Sequence, residues 1–396
     1  MSQQALKDRY SAVMMNAFGA PLRVFERGEG VHLWDADGNR YTDLLSGLAV
    51  NALGHAHPAV TAAITAQLGQ LGHVSNFFAS EQQIRLAERL AAYTGADATR
   101  VFFTNSGTEA NEAAFKITRL TGRTRIVAME GAFHGRTMGA LAITANEKYR
   151  LPFQPLPGHV TFVPYGDVDA LRAALDDTVA AVVLEPVQGE NGVVPAPDGF
   201  LAAARELTSE VGALLWIDEV QTGMGRCGEI LVHAADGVVA DLVTLAKGLG
   251  NGFPIGACLA NGAAADLIQP GLHGTTFGGN PVASAAGHAV LDVLEGGVLA
   301  QARETGAWLA DQLRALDHPG IAGVRGRGLL LGALLTDEVA PAVSAAALDA
   351  GWVINAPRPS VLRIAPPLIS TQGDLQGFVD ALPGLIDRAT AAVAHG

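Results

Sequence analysis

The chain has 396 residues, of which 49% are hydrophobic and 16% charged, and a formal net charge of −13. That content can bury a large core, fits one large domain with a smaller one attached, and is far from disorder. The acidic balance, without any basic run, argues against a nucleic-acid backbone as partner. The opening segment MSQQALKDRY is polar, with no apolar signal core, and no apolar stretch approaches the roughly 20 residues that cross a bilayer. A cytoplasmic protein without a membrane partner is expected. The two cysteines, Cys227 and Cys258, make no disulfide framework and read as small buried hydrophobes.

In chain order, VHLWDADGNRYTDL (31–44) predicts a hairpin turning at Asp37, Gly38 and Asn39. From about residue 60 to 290, short apolar runs alternate with helical patterns. Strands are expected at VFF (from 101), RIVAM (125), VTFVPY (160), VAAVVLE (179), ALLWID (213), LVTLA (242) and IGACLA (255). Helices are expected at EANEAAFKITRL (from 109), DGFLAAARELTSEVG (198) and NPVASAAGHAVLDVLEGG (280). Most of the strand runs are apolar throughout, which suits a largely parallel sheet covered on both faces. After 290 come a long helix, a strand in RGRGLLLGALL with RGRG (325–328) as the turn before it, and a strand in VLRIAPPL. The expected α/β architecture is a large domain over 46–290 and a small α+β domain from 1–45 and 291–396.

A Walker A loop needs Gly-Lys, and this chain has no such dipeptide. A dinucleotide pattern is present at Gly223, Gly225 and Gly228, but DEVQT separates those glycines from the strand they should follow directly. In an open parallel sheet, ligands sit beyond the carboxyl ends of the strands. Three strand ends here carry chemistry. ALLWID ends on Asp218, LVTLA on Lys247, and VFFT leads into NSGTEANE, a turn that opens a helix and suits a phosphate. Taken singly, Lys247 is a solvated turn residue, Asp218 an N-cap, and Ser106 and Thr108 helix caps. Together they meet the needs of pyridoxal 5′-phosphate: an amine for its aldehyde, an acid for its ring nitrogen, and an anchor for its phosphate. His55 and His57 form an H-x-H pair with no further ligand cluster, and read as turn and packing residues rather than a metal site.

These segments resemble the class III pyridoxal-phosphate aminotransferases over nearly the whole chain. The resemblance rests on GHAHPAV (54–60), FFTNSGTEANEAAFK (102–116), GAFHGRT (131–137), EPVQGENG (185–192), WIDEVQTGMGRCG (216–228), LAKGLGNGFPIGA (245–257), HGTTFGGNP (273–281) and LRIAPPL (362–368). It implies an aspartate-aminotransferase-like fold with a mostly parallel seven-stranded sheet. Lys247 would hold the cofactor aldehyde and act as general acid–base. Asp218 would pair with the ring nitrogen, with Glu219 and Val220 beside it and Gln221 near the ring hydroxyl. Gly107 and Thr108 would bind phosphate, and Phe133 would stack on the ring. Thr276 would reach the phosphate, and Thr275 the substrate, from a neighbouring subunit, which implies a homodimer with shared sites. Arg136 would take the distal carboxylate of the amino donor. Arg363 would take the α-carboxylate of glutamate and pair with Glu190 when that seat is empty.

The implied substrates are N2-acetyl-L-ornithine as donor and 2-oxoglutarate as acceptor. Ornithine, succinylornithine and 4-aminobutyrate are alternative donors. Phe18 stands near the place where ornithine-specific members carry a tyrosine, and its missing hydroxyl favours an acylated donor. A non-catalytic cofactor-binding protein is the rival from another class. Intact Lys247, Asp218 and Arg363 argue against it.

Overall fold

The computed structural model describes residues 2–394. Near the N-terminus, β1 (Phe25–Glu29), β2 (His32–Asp35) and β3 (Arg40–Asp43) form an antiparallel meander. The β2–β3 turn falls at the expected residues. Gly38 takes φ +87°, a value that favours glycine, and Asp35 Oδ1 accepts from the backbone N–H of Asp37 and Asn39 at 3.0 and 2.9 Å. β1 had no sequence signal, because FERGE has neither alternation nor an apolar run and stays mostly exposed.

The seven apolar runs are the seven strands of the central sheet. They are β4 (Thr99–Thr104), β5 (Arg125–Met129), β6 (His159–Val163), β7 (Val179–Leu184), β8 (Leu214–Asp218), β9 (Leu242–Leu245) and β10 (Gly256–Asn261). Their spatial order is β4-β10-β9-β8-β7-β5-β6. Every pairing is parallel except the two made by β10. All six residues of β7 are buried, and all six of β10. Helices therefore cover both faces, which is why these strands read as continuous apolar runs.

The expected helices form at Gly107–Arg119, Phe200–Val211 and Pro281–Val293. The last continues through a π turn at Leu294–Val298 into Leu299–Ala315. By length and composition this run could span a bilayer, yet 61% of its apolar window is buried inside the protein. It packs on the helices Pro58–Leu68 and Glu81–Ala92 as a core element.

The C-terminal sheet has the order β11 (Ile321–Arg327), β12 (Leu330–Leu335), β15 (Val361–Ile364), β14 (Asn355–Arg358), with β13 (Trp352–Val353) apart from it. RGRG is not the turn expected. Arg325, Gly326 and Arg327 lie within β11, opposite Gly332, Leu331 and Leu330, and the chain turns after them. Charged and glycine residues hid a half-exposed strand whose Arg327 forks onto Asp236 at 2.8 and 3.0 Å. β13 pairs in parallel with β3, Trp352 opposite Thr42, so the two ends of the chain share one sheet.

Candidate active site

A cleft of about 390 Å³ opens at the carboxyl ends of the central strands. Asp218 ends β8 and stands opposite Thr244 of the neighbouring β9, which ends at Leu245, two residues before Lys247. Phe133 and His134 follow β5, Glu185 follows β7, and the helix Gly107–Arg119 opens after β4; all contribute to the wall.

Lys247 sits one residue beyond β9 and Ala246, with φ +42°, in the left-handed region that a residue with a Cβ occupies only under constraint. The turn Lys247–Leu249 supplies that constraint through Leu249 N–H donating to Ala246 O at 2.9 Å. Burial lowers the Lys247 amine below its usual range; Arg363 pushes the same way, while Glu190, Asp218 and Glu185 oppose it. A lysine so placed holds a neutral, nucleophilic fraction at lower pH than a solvated one.

Asp218 is the best-held acid in the cleft. Its Oδ2 accepts from His134 Nδ1 at 2.7 Å and from Asn111 Nδ2 at 2.9 Å, and Oδ1 accepts from Val220 N–H at 2.9 Å. Burial works against protonation of His134, but its bond to Asp218 and the charges of Asp218 and Glu185 outweigh this and raise its pKa. Val220 and Gln221 also line the cleft. A side chain at Gly189 would put its Cβ 1.5 Å from Gln221 Oε1, so Gly189 leaves room for that amide. Glu219 is placed differently. It is buried outside the cleft lining, where Oε1 takes His233 Nδ1 at 2.7 Å and Oε2 takes Thr222 Oγ1 at 3.0 Å.

Ser106 caps the helix that starts at Gly107, its Oγ accepting from Glu109 N–H at 3.3 Å. The amides of Gly107 and Thr108, at the first turn, have no intrahelical acceptor and sit at the positive end of the helix dipole. A Cβ on Gly107 would meet Val220 Cγ1 at 2.6 Å, so glycine lets the helix start close against the strand-end loop. Pyridoxal 5′-phosphate fits this donor set: free amides for a phosphate, a fixed carboxylate for a ring nitrogen, a displaced lysine for an aldehyde. Two buried polar atoms that find no partner among the described residues, Gln221 Oε1 and Asn111 Oδ1, belong to side chains lining the same cleft.

Arg136 lines the cleft from its exposed side. Arg363, on β15, is 1% exposed, and its Nη1 donates to Glu190 Oε1 at 2.5 Å while Nε donates to Asn355 Oδ1 at 3.0 Å. Its Nη2 is buried with no hydrogen-bond partner among the described residues. Burial alone would raise the Glu190 carboxyl, but the charge and hydrogen bond of Arg363 outweigh it and hold Glu190 below the usual range. Thr275 and Thr276 are not in this cleft. They line a separate cavity of about 810 Å³ together with His73, Phe77 and Phe102, with Asn105 Nδ2 3.4 Å from Thr275 Oγ1. Phe18 is 92% exposed and outside the cleft lining.

Three residues escaped the sequence reading. Asn111 lies four residues along the helix from Gly107, on the face turned to Asp218. His134 follows Phe133 directly. Glu185 is an acid at the end of a buried strand, the same signal that drew attention to Asp218; its carboxyl is pushed up to about 8, chiefly by burial, and its Oε1 accepts from Phe133 N–H at 3.1 Å. The dinucleotide pattern resolves otherwise. At Gly223–Gly228 the chain makes a tight loop, with Met224 N–H on Ile230 O at 2.9 Å and Gly225 N–H on Glu229 O at 2.9 Å, and no helix opens there. His55 Nε2 donates to Asp43 Oδ2 at 2.8 Å as a packing residue, and no metal-binding cluster exists among the described residues.

A buried lysine, a held carboxylate and a helix N-terminus meet at the strand ends of this sheet, whose architecture is that of the fold-type I aminotransferases. The model of the aminotransferase class-III family matches residues 14–386, and the chain belongs to that family. It is 58% identical over 385 residues to the acetylornithine aminotransferase of Mycolicibacterium smegmatis, covering 97% of this chain and 98% of that one. It is 54% identical to the acetylornithine aminotransferase of Streptomyces coelicolor, covering 100% and 98%. Among solved structures it resembles the N-acetylornithine aminotransferase of Stenotrophomonas maltophilia, with TM-score 0.82, 36% identity and coverage of 97% and 100%. It also resembles the ornithine aminotransferase of Toxoplasma gondii, whose structure shows partial occupancy of PLP at the active site, with TM-score 0.92, 31% identity and coverage of 99% and 96%.

Proposed function

We propose that this chain transfers the δ-amino group of N2-acetyl-L-ornithine to 2-oxoglutarate, giving N-acetyl-L-glutamate 5-semialdehyde and L-glutamate, with pyridoxal 5′-phosphate as cofactor. The observation that carries the reading is the pair of arginines at the cleft with Lys247: Arg136 at the wall with no carboxylate partner among the described residues, Arg363 buried and paired with Glu190. A donor whose amine lies far from its carboxylate needs one seat, and a donor whose amine is beside its carboxylate needs another. The acetylornithine aminotransferases among the relatives support the choice of donor.

When bound, the cofactor supplies a carbonyl carbon that amines attack and a ring that accepts electrons. Gly107 and Thr108 would hold its phosphate, Phe133 would lie against its ring, Gln221 would meet the ring hydroxyl, and Asp218 would keep the ring nitrogen protonated. Val220 gives Asp218 its backbone N–H, and Glu219 supports the same loop from behind through His233. Lys247 Nζ would hold the cofactor through its carbonyl carbon, and the same amine, kept partly neutral by burial, would move the proton at the donor's amine-bearing carbon. Arg136 seats the carboxylate of acetylornithine through a planar fork. In that half of the reaction Glu190 neutralises Arg363. In the other half Glu190 gives way, and Arg363 takes the α-carboxylate of glutamate or 2-oxoglutarate.

We read the working unit as a homodimer in which Thr276 and Thr275 complete the partner's phosphate and substrate sites. Support comes from apolar surface at and beside their cavity: Phe77, which lines it, is 93% exposed, and Phe277, tilted against the lining residue His73 with ring centroids 5.2 Å apart, is 59% exposed. The same reading divides the chain into a large cofactor domain over 46–290 and a small domain from 1–45 and 291–396. Steady-state comparison of acetylornithine, succinylornithine, ornithine and 4-aminobutyrate, each with 2-oxoglutarate, tests the function. Acetylornithine should give the highest kcat/KM, and a clear preference for free ornithine or 4-aminobutyrate would overturn the assignment.

A further inference from the structure

The two cleft arginines are held in different ways. Arg363 is fixed by hydrogen bonds to Glu190 and Asn355. Arg136 has no carboxylate and no hydrogen-bond partner among the described residues, yet its guanidinium carbon stands 3.4 Å from the ring centroid of Tyr149 and 5.7 Å from that of Phe133. The two rings meet edge to face, 6.4 Å apart at 86°.

Both rings are anchored from the sheet. Phe133 follows β5, and its N–H is bound by Glu185 at the end of β7. Tyr149 lies in the helical turn Glu147–Arg150, whose Asn146 Oδ1 accepts from Lys148 N–H at 3.0 Å. The adjacent Arg150 sits 4.4 Å over Phe162 of β6. A guanidinium stacked by its face keeps its N–H edge open, and a carboxylate approaches in that plane. An aromatic face also fixes a long flexible side chain without neutralising it.

We propose that Tyr149 is a positioning residue for donor selectivity: its ring face, itself set edge-to-face against Phe133, holds the Arg136 fork edge-on to the cleft. The proposal rests on the reading of Arg136 as the seat of the donor's distal carboxylate. An acidic partner would hold the arginine equally well but would compete with the substrate for it. The aromatic shelf does not, so the seat stays open to a carboxylate.

The test uses two donors that differ in one group: N2-acetyl-L-ornithine, and N-acetyl-1,4-diaminobutane, which lacks the carboxylate. Each is assayed with the cofactor-loaded wild type and with Tyr149→Phe, Tyr149→Leu, Tyr149→Ala and Arg136→Ala. Tyr149→Ala and Tyr149→Leu should lower kcat/KM for acetylornithine about tenfold, mostly through KM, the scale of a partly desolvated cation–π contact. Both should leave the decarboxylated donor within about twofold of wild type. Tyr149→Phe keeps the ring face and should behave as wild type with both donors. Equal losses for the two donors in the Tyr149 variants would mean general structural support and overturn the proposal, as would a Tyr149→Phe loss as large as that of alanine. If Arg136→Ala is selective for acetylornithine while Tyr149→Ala and Tyr149→Leu are not, the shelf fails and the seat stands. If Arg136→Ala itself fails to discriminate between the donors, the carboxylate seat falls and the shelf with it.

Discussion

Replacing Glu190 with alanine should change which amino donor the enzyme prefers. In the cleft Arg363 is 1% exposed, and its hydrogen-bond partners among the described residues are Glu190, at 2.5 Å, and Asn355, at 3.0 Å. Without the Glu190 carboxylate the guanidinium keeps one neutral acceptor, and Nη2 is unpartnered even with Glu190 in place. Leaving one member of a buried charge pair alone costs on the order of 2–5 kcal/mol. The Glu190 side chain is 37% exposed, so water screens the pair and partly fills the gap, which puts the cost at the low end. In the variant, the α-carboxylate of glutamate meets an unpaired arginine and no longer has to displace an internal one. About 2 kcal/mol is roughly a 30-fold effect. The ratio of acetylornithine to glutamate reactivity should therefore fall by about that factor, with the glutamate half-reaction at least as fast as before. Arg363→Ala should do the reverse and damage the glutamate and 2-oxoglutarate half most. Single-turnover rates for each half, followed by the cofactor's absorbance, measure both. If each variant slows the two halves by one common factor, the exchange of partners at Arg363 is wrong.

Lys247→Ala should abolish borohydride trapping of the cofactor and nearly all turnover; a variant with wild-type activity would remove Lys247 from the chemistry. Asp218→Ala should slow proton transfer by two orders of magnitude or more, about 3 kcal/mol, with Asp218→Glu keeping part of the rate. Equal single-turnover rates in wild type and Asp218→Ala would refute the role. Glu185, pushed up to about 8 from 4.5 chiefly by burial, gives a pH prediction. The fold favours its protonated form, so its contribution to stability is complete below about 4.5 and is lost as pH rises through about 8. Glu185→Gln removes that titration, so urea unfolding of the cofactor-free protein should show the variant gaining on wild type between pH 5 and pH 9, by on the order of a few kcal/mol. Parallel pH profiles for the two proteins would contradict the buried proton.

The central sheet and its reactive rim were legible in the sequence because their signals are local. A strand buried on both faces has to be apolar throughout, as in VAAVVL, and a charged residue at its end then stands out, as Lys247 and Asp218 do. The helix start proposed to take a phosphate was equally local, since a cap, a glycine and a threonine adjoin in the chain. Half-exposed strands such as FERGE and IAGVRGR gave no such signal, because solvent on one side removes the demand for apolar residues.

What the linear order could not determine is who faces whom. Arg363 meets Glu190 only because β15 of the C-terminal sheet is packed against the loop after β7, across 173 residues of sequence. Glu219 sits beside Asp218 in the chain, yet successive positions leaving a strand point in opposite directions, and its carboxylate is bound to His233 outside the cleft. His134, Asn111 and Glu185 enter the site through the spacing of neighbouring strands and the pitch of one helix. Tyr149 lies under Arg136 because a short turn is pinned to β6 by Arg150 on Phe162. Local sequence specified the buried strands and the chemistry at their ends; the packing of elements, through burial and charge, decided which of those groups act on one another.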